Sequence, residues 1–217
     1  MNSIQKTLRS LPSLEGPLPE FNIEKTPNNP IDLFVDWLTF ALENEIKEPH
    51  AMTLSTVDSE GQPDARVLIL KNVDDHGWYF ASSSNSQKGW QLEQNSKAAL
   101  TFYWSQIGRQ IRIKGNVMGL GKTESRQDFL HRSIGARAAS LIGNQSKPLK
   151  DSDDFNLALK KQIKRLNLEP DQVSPYWTLY RLEAMQVEFW QGHPERNHTR
   201  LLYRFHQNSW QKSLLWP

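Results

Sequence analysis

Residues 51–83 read AMTLSTVDSEGQPDARVLILKNVDDHGWYFASS, and this stretch decides the fold class. Ala51–Val57 alternates with a period of two and runs into Asp58-Ser59-Glu60-Gly61, a turn composition. Arg66–Asn72 repeats the alternation, Asp74-Asp75-His76-Gly77 turns the chain again, and Trp78–Ser82 reads as a third short strand. Turns this tight leave no room for helical crossovers. The pattern is an antiparallel meander, which argues against a doubly wound parallel sheet.

Upstream, Asn29-Pro30 starts a helix whose Leu33, Phe34, Trp37, Leu38, Phe40, Ala41 and Leu42 share one broad face. It is expected to end near Lys47-Glu48-Pro49, because proline cannot continue it. Residues 1–29 are rich in Pro, Asn, Ser and Glu and read as a flexible arm without periodicity. Downstream, a helix is expected at about Ser86–Asn95, capped by Asn85 or Ser86, followed by a hairpin of Lys97–Trp104 and Arg109–Leu120. Helices over 123–142 and 153–167 flank the polar loop 143–148, and strands follow at 176–182, 184–190, 200–206 and 209–215. The expected fold is mainly β with peripheral helices, a small Greek-key or split barrel, in one domain over 30–217 behind the arm.

Composition narrows the chemistry. In 217 residues, 26 Lys+Arg against 24 Asp+Glu give a net charge of +2, which excludes a diffuse electrostatic nucleic-acid binder. The absence of cysteine removes disulfides, thiolate metal sites, iron–sulfur clusters and cysteine nucleophiles. The six histidines are scattered and form no HExxH, so no metal site is expected. Neither Gly-rich phosphate motif occurs, nor a GxSxG elbow. No apolar run approaches the roughly 20 residues that span a bilayer, and the N-terminus has no apolar signal core. The reading is a soluble, cytoplasmic protein with neither nucleic acid nor membrane as partner.

Three stretches carry candidate chemistry. In Arg66-Val67-Leu68-Ile69-Leu70-Lys71, Arg66, Leu68 and Leu70 share one strand face while Val67, Ile69 and Lys71 share the other, an unusual place for an ammonium unless that face lines a cavity. Ser82-Ser83-Ser84-Asn85-Ser86-Gln87-Lys88 leads small hydroxylic residues into a helix start, a phosphate cradle in miniature. Arg196, His198 and Arg200 follow each other at spacings of two, so on one strand they would point the same way, with Trp190 as an aromatic wall for an anionic or electron-rich ligand. The competing readings are a solvated strand-end lysine, an ordinary helix cap and a solvated edge strand.

Taken together, these blocks resemble the pyridoxine/pyridoxamine 5′-phosphate oxidases and their phenazine-biosynthesis relatives. The resemblance covers about residues 18–217 and also includes Arg109-Gln110, Gln145-Ser146, Glu188-Phe189-Trp190-Gln191-Gly192 and the closing Leu215-Trp216-Pro217. It implies an FMN-binding split barrel and a homodimer with FMN at its interface. Arg66, Val67, Leu68, Ile69, Leu70, Lys71, Ala81, Ser82, Gln87, Lys88 and Gln110 would contact the flavin, and Gln145, Ser146, Trp190 and Arg200 would complete its site, some from the second subunit. Lys71 and Arg132 would meet the substrate phosphate, while Arg196 and His198 would sit over the reacting carbon as catalytic residues. The implied reaction passes a hydride from pyridoxamine or pyridoxine 5′-phosphate to flavin N5, and dioxygen reoxidises the flavin to give hydrogen peroxide and pyridoxal 5′-phosphate. The alternatives are the same chemistry on a larger aromatic metabolite, and a flavin-binding protein without efficient turnover.

Three departures from the family pattern stand out. Asp128, beside Phe129, takes the place of a tyrosine near the substrate phosphate, Ala136 that of a serine, and Gln87 that of an arginine. Losing a hydroxyl donor at a buried phosphate costs about 1–3 kcal/mol, and a carboxylate there adds repulsion. Arg137, next to Ala136, is expected to replace some of that binding.

Overall fold

The stretch read as an arm includes a helix, α1 (Ser3–Ser10), exposed along its length. The computed structural model describes residues 3–217, so the first two positions of the arm lie outside the described residues. Its far end is tied down. Lys212 Nζ donates to the Thr26 carbonyl at 3.0 Å, the Tyr203 hydroxyl to the Pro27 carbonyl at 2.7 Å, and Phe21 meets the edge of Trp37.

The next helix, α2 (Pro30–Glu43), starts as its sequence demands. Asn29 accepts the Ile31 amide at 3.0 Å, and Pro30 occupies the first turn, where a missing amide costs nothing. It ends about a turn before the expected Lys47-Glu48-Pro49. Glu45 adopts a left-handed φ of 55°, and the Ile46 amide reaches back to the Ala41 carbonyl. Burial of Ile46 secures that turn, so termination is set by packing and not by Pro49.

The strands are β1 (Ala51–Val57), β2 (Pro63–Asp74), β3 (Gly77–Ser83), β4 (Lys97–Trp104), β5 (Arg109–Gly119), β6 (Trp177–Gln191), β7 (Thr199–His206) and β8 (Ser209–Leu214). Their order is β3-β2-β1-β4-β5-β6-β7-β8, and a further β3–β6 pairing closes the first six into an antiparallel barrel. β4 returns beside β1, outside the β1–β2–β3 meander, which is the Greek-key arrangement. The helices α3 (Gln87–Gln94), α4 (Lys122–Leu130), α5 (Ile134–Leu141) and α6 (Ser152–Leu168) are the connections. In β2 the register shifts between Leu70 and Asn72, a bulge centred on Lys71.

Two boundaries differ from the sequence reading. The expected helix over 123–142 is broken at His131–Ser133, where Ser133 caps a second helix by accepting the Ala136 amide at 3.3 Å. The expected strands 176–182 and 184–190 are one strand, because Arg181-Leu182-Glu183-Ala184 offers no turn residue.

By contacts the chain divides into two units. In the unit formed by the chain up to Met52 with Leu100–Ile113 and Met185–Pro217, the core is aromatic. Phe34 meets Phe102, Trp37 meets Phe189, and Phe189 meets Tyr203, all edge-on with centroids 5.1–5.7 Å apart. In the unit formed by Thr53–Ala99 and Lys114–Ala184, Leu54, Trp78, Phe80, Phe129 and Leu182 are fully buried. Each such side chain stabilises the fold by about 1.5–3 kcal/mol. Gly115 is required there, because a Cβ would lie 1.9 Å from the Glu183 carbonyl oxygen.

Candidate functional site

Within the second unit, β2, β3 and α3 assemble a cationic cradle. Pleating turns Arg66 inward, where its guanidinium pairs with Asp64 and donates to Thr56 Oγ1 at 2.6 Å and the Leu54 carbonyl at 3.2 Å. Thr56 in turn donates to Gln91 Oε1 at 2.6 Å, and Arg66 also donates to that oxygen at 3.4 Å, so three side chains and one backbone carbonyl fix the guanidinium. Ser86 caps α3 by accepting the Gly89 amide, which places Lys88 in the first turn with its ammonium 3.3 Å from Ser86 Oγ. Lys88 is 7% exposed. Burial, and then repulsion from Arg66, push its ammonium below the usual lysine value, while Asp64 partly offsets this.

These cations open onto a cavity of about 360 Å³ whose walls include Arg66, Val67, Leu68, Gln87, Lys88, Gln145 and Ser146. Leu68 and Gln145 also wall a second cavity of about 630 Å³, lined by Ala81, Ser82, Ser83, Arg132, Ser140, Phe155 and Trp177. An anion fits the smaller cavity, since two crowded cations there are balanced by one carboxylate. The structure thus brings eleven positions, 66–68, 81, 82, 87, 88, 132, 145, 146 and the neighbouring 177, to two adjoining cavities.

The other strand-two residues lie elsewhere. Leu70 is buried, Ile69 faces outward, and Lys71, at the bulge, pairs with Asp128 at 3.5 Å. Asp128 also accepts Trp177 Nε1–H at 2.7 Å. Arg132 lies 3.8 Å over the Trp177 ring and donates to Ser140 Oγ at 2.8 Å. Burial lowers its basicity, and the Asp128 charge works in the opposite direction. Arg137 does not take up the role expected of it, because its guanidinium is committed to the carbonyls of Pro170 and Gln172.

The first unit carries the C-terminal group. Arg196, His198 and Arg200 do not share a strand as expected. β7 begins at Thr199, and Pro194 sits in a turn closed by the Arg196 amide on the His193 carbonyl, with Arg196 at φ 68°. His198 stacks near Trp190 at 4.9 Å, and its Nδ1 accepts the His193 amide at 3.1 Å, so any ring proton sits on Nε2. Burial first, then Arg196 and His193, lower its pKa. Arg200 pairs across from Trp190 but turns to Glu188 at 2.9 Å and to the Trp216 carbonyl. Glu188 also holds Arg112. Gln110 lies half-buried on β5, beside Arg109, which sits over Trp37 and Phe40, donates to Gln191 and is pushed down to about 10 by burial.

Sequence reasoning missed Asp64, Thr56 and Gln91 around Arg66, and Trp177 under Arg132. Only Asp64 carried a signal, two residues from Arg66 on the same strand face.

A closed antiparallel barrel with a basic cradle where β3 enters α3 defines the split-barrel class of protein. Residues 38–165 match the family model described as pyridoxamine 5′-phosphate oxidase, and residues 177–217 match the pyridoxine 5′-phosphate oxidase C-terminal dimerisation region. The chain is 40% identical over 191 residues to the pyridoxine/pyridoxamine 5′-phosphate oxidase of Cyanothece sp., covering 87% of this chain and 89% of that one. It is 38% identical over 195 residues to the enzyme of that name from Ectopseudomonas mendocina, covering 89% and 91%. Among solved structures, PhzG from Burkholderia lata 383 in complex with tetrahydrophenazine-1-carboxylic acid superposes with a TM-score of 0.87 at 30% identity, over 93% of this chain and all of that one. A pyridoxamine 5′-phosphate oxidase-related, FMN binding protein from Nostoc punctiforme shares the fold, with a TM-score of 0.67 at 21% identity. The chain belongs to the pyridoxamine 5′-phosphate oxidase family.

Proposed function

We propose that the protein is an FMN-dependent oxidase of pyridoxamine and pyridoxine 5′-phosphate, acting as a homodimer. The observation that carries this reading is the crowding of Arg66 and buried Lys88 at one small cavity beside a larger aromatic-walled one. Arg66, Lys88, Gln87, Ser82 and Ser146 would hold the flavin phosphate, with Val67, Leu68 and Ala81 along its body. Ile69, Leu70, Lys71, Gln110, Gln145, Trp190 and Arg200 would complete the flavin contacts across the homodimer, and Arg132 and Lys71 would face the substrate's anionic end.

When bound, FMN supplies the redox chemistry, accepting a hydride from the substrate carbon and passing two electrons to dioxygen. The alcohol substrate plus O₂ then gives the aldehyde plus H₂O₂; the amine consumes one water more and releases ammonia. The chain's own residues bind, orient and shield. Arg196 and His198, held by the turn at 193–196, would position the reacting carbon, and neutral His198 would donate from Nε2.

Two observations favour a second reading, the same chemistry on a larger aromatic metabolite. Asp128 occupies a position next to the substrate cations, and the PhzG structure superposes over nearly the whole chain. The deciding experiment is anaerobic. Purified protein carrying FMN is mixed with pyridoxamine 5′-phosphate and the yellow flavin absorbance is followed. Bleaching that recovers in air with release of pyridoxal 5′-phosphate is the expected result. A flavin-loaded protein that never bleaches would exclude the B6 substrate and turn attention to the second reading.

A further inference from the structure

Arg132 is a half-buried cation in the wall of the larger cavity, carried on the short connection His131–Ser133 between α4 and α5. An arginine on such a link has many rotamers, and ordering them at the moment of binding costs affinity. Here the order exists beforehand. The guanidinium carbon lies 3.8 Å from the centroid of the Trp177 ring, and one N–H donates to Ser140 Oγ at 2.8 Å. Among the described residues Arg132 donates to no other group, so its remaining N–H groups are left for an anion. Arg137 makes the contrast: it lies at the same 5.6 Å from Phe129 as Arg132 does, but the Pro170 and Gln172 carbonyls consume it.

Trp177 is no ordinary core residue. It is half-buried and lines the same cavity, at the first position of β6, where it pairs with Ser83. Its indole N–H donates to Asp128 Oδ2 at 2.7 Å, and Phe129 meets it edge-on at 5.8 Å. The other Asp128 oxygen faces Lys71 at 3.5 Å, so the carboxylate that holds the indole is itself held. A cation over an aromatic face is attracted by the ring quadrupole, and indole is the strongest such platform. Asp128, outside the lining of the cavity, therefore acts on the ring and not on the ligand.

We propose that Trp177 is a positioning residue for the substrate's phosphate: its indole, held by Asp128, fixes the Arg132 guanidinium at the larger cavity, so that the phosphate meets it already ordered. This rests on the oxidase reading, which places the substrate's anionic end at Arg132.

The test uses 4-deoxypyridoxine 5′-phosphate and 4-deoxypyridoxine, which share one ring, lack the oxidisable group and differ only by the phosphate. Affinity is read from perturbation of the flavin spectrum of the FMN-loaded protein, without turnover. Trp177→Leu should weaken the phosphate ligand about tenfold relative to the phosphate-free one. Trp177→Phe keeps a ring and loses the tie to Asp128, so it guards against a fold lost to the larger change. It should shift the ratio about threefold in the same direction. In an Arg132→Gln background, Trp177→Leu should leave the ratio unmoved, because nothing remains to be positioned. A native ratio in both Trp177 variants, equal weakening of both ligands, or the same shift without Arg132 would overturn the role of Trp177 while leaving the oxidase reading standing. Failure of the native, flavin-loaded protein to bind the phosphate ligand would overturn both.

Discussion

Lys88, assigned above to the proposed flavin site, is a buried cation that weighs against folding. Its ammonium is buried beside Arg66, which lowers its proton affinity in the folded chain. For a lysine, a lowered folded pKa means that the unfolded chain binds the proton better, so the charged group weighs against folding at neutral pH. Lys88→Gln should therefore leave the melting temperature of flavin-free protein unchanged or higher, while weakening FMN binding about tenfold or more. Calorimetry of the flavin-free protein and flavin-release titration check the two halves separately. His198 gives the second prediction at this scale. Its pKa lies below the ordinary value of about 6.5, and the protonated form is the destabilised one, so its contribution to stability is lost as pH falls below that value. An NMR titration of the ring should show the depressed value, and Arg196→Gln should raise it. At the residue scale the sequence was most legible where partners are close along the chain. Ser86 and Lys88 announced themselves as a helix start, whereas Thr56 reaches Arg66 across the β1–β2 hairpin and Gln91 reaches it from α3, contacts that need the strand register and the helix docking to be known. Arg196 and His198 were placed on a strand because spacing alone cannot register the left-handed backbone after Pro194.

Among the elements, β6 and the α4–α5 pair carry most of what the sequence concealed. The break between α4 and α5 depends on Ser133, whose hydroxyl opens α5. Ser133→Ala should cost about 1 kcal/mol in urea denaturation, with the flavin spectrum unchanged. β6 runs fifteen residues without a turn and passes so near β5 that Gly115 admits no side chain. Gly115→Ala should destabilise by about 1–3 kcal/mol or more, which thermal unfolding would report; a neutral result would mean that the backbone yields there. The meander of β1 to β3 was fully legible, since alternation and turn residues coincide. The helical boundary at 131–133 was not, because a serine in a continuous helical pattern does not reveal whether it caps or merely decorates.

For the whole molecule, the match of residues 177–217 to a dimerisation region makes association part of the proposed function. Melting temperature should rise with protein concentration if the dimer unfolds as a unit. Added FMN should raise it further, by about 2.7 kcal/mol of stability at a hundredfold excess over the dissociation constant. Arg200→Ala, which frees Glu188 and the Trp216 carbonyl together, should weaken flavin retention. The barrel and its class were legible because antiparallel order follows from local turns; the opposing charge of Asp128 on Lys71 was not, since only folding brings β2 and α4 together. The Arg66–Lys88 cradle also has a consequence for the rate of capture. A doubly charged cofactor approaching it is drawn in over roughly the Debye length, about 10 Å at 0.1 M salt, so capture should slow steeply as salt is added. Release, governed by contacts already made, should hardly change.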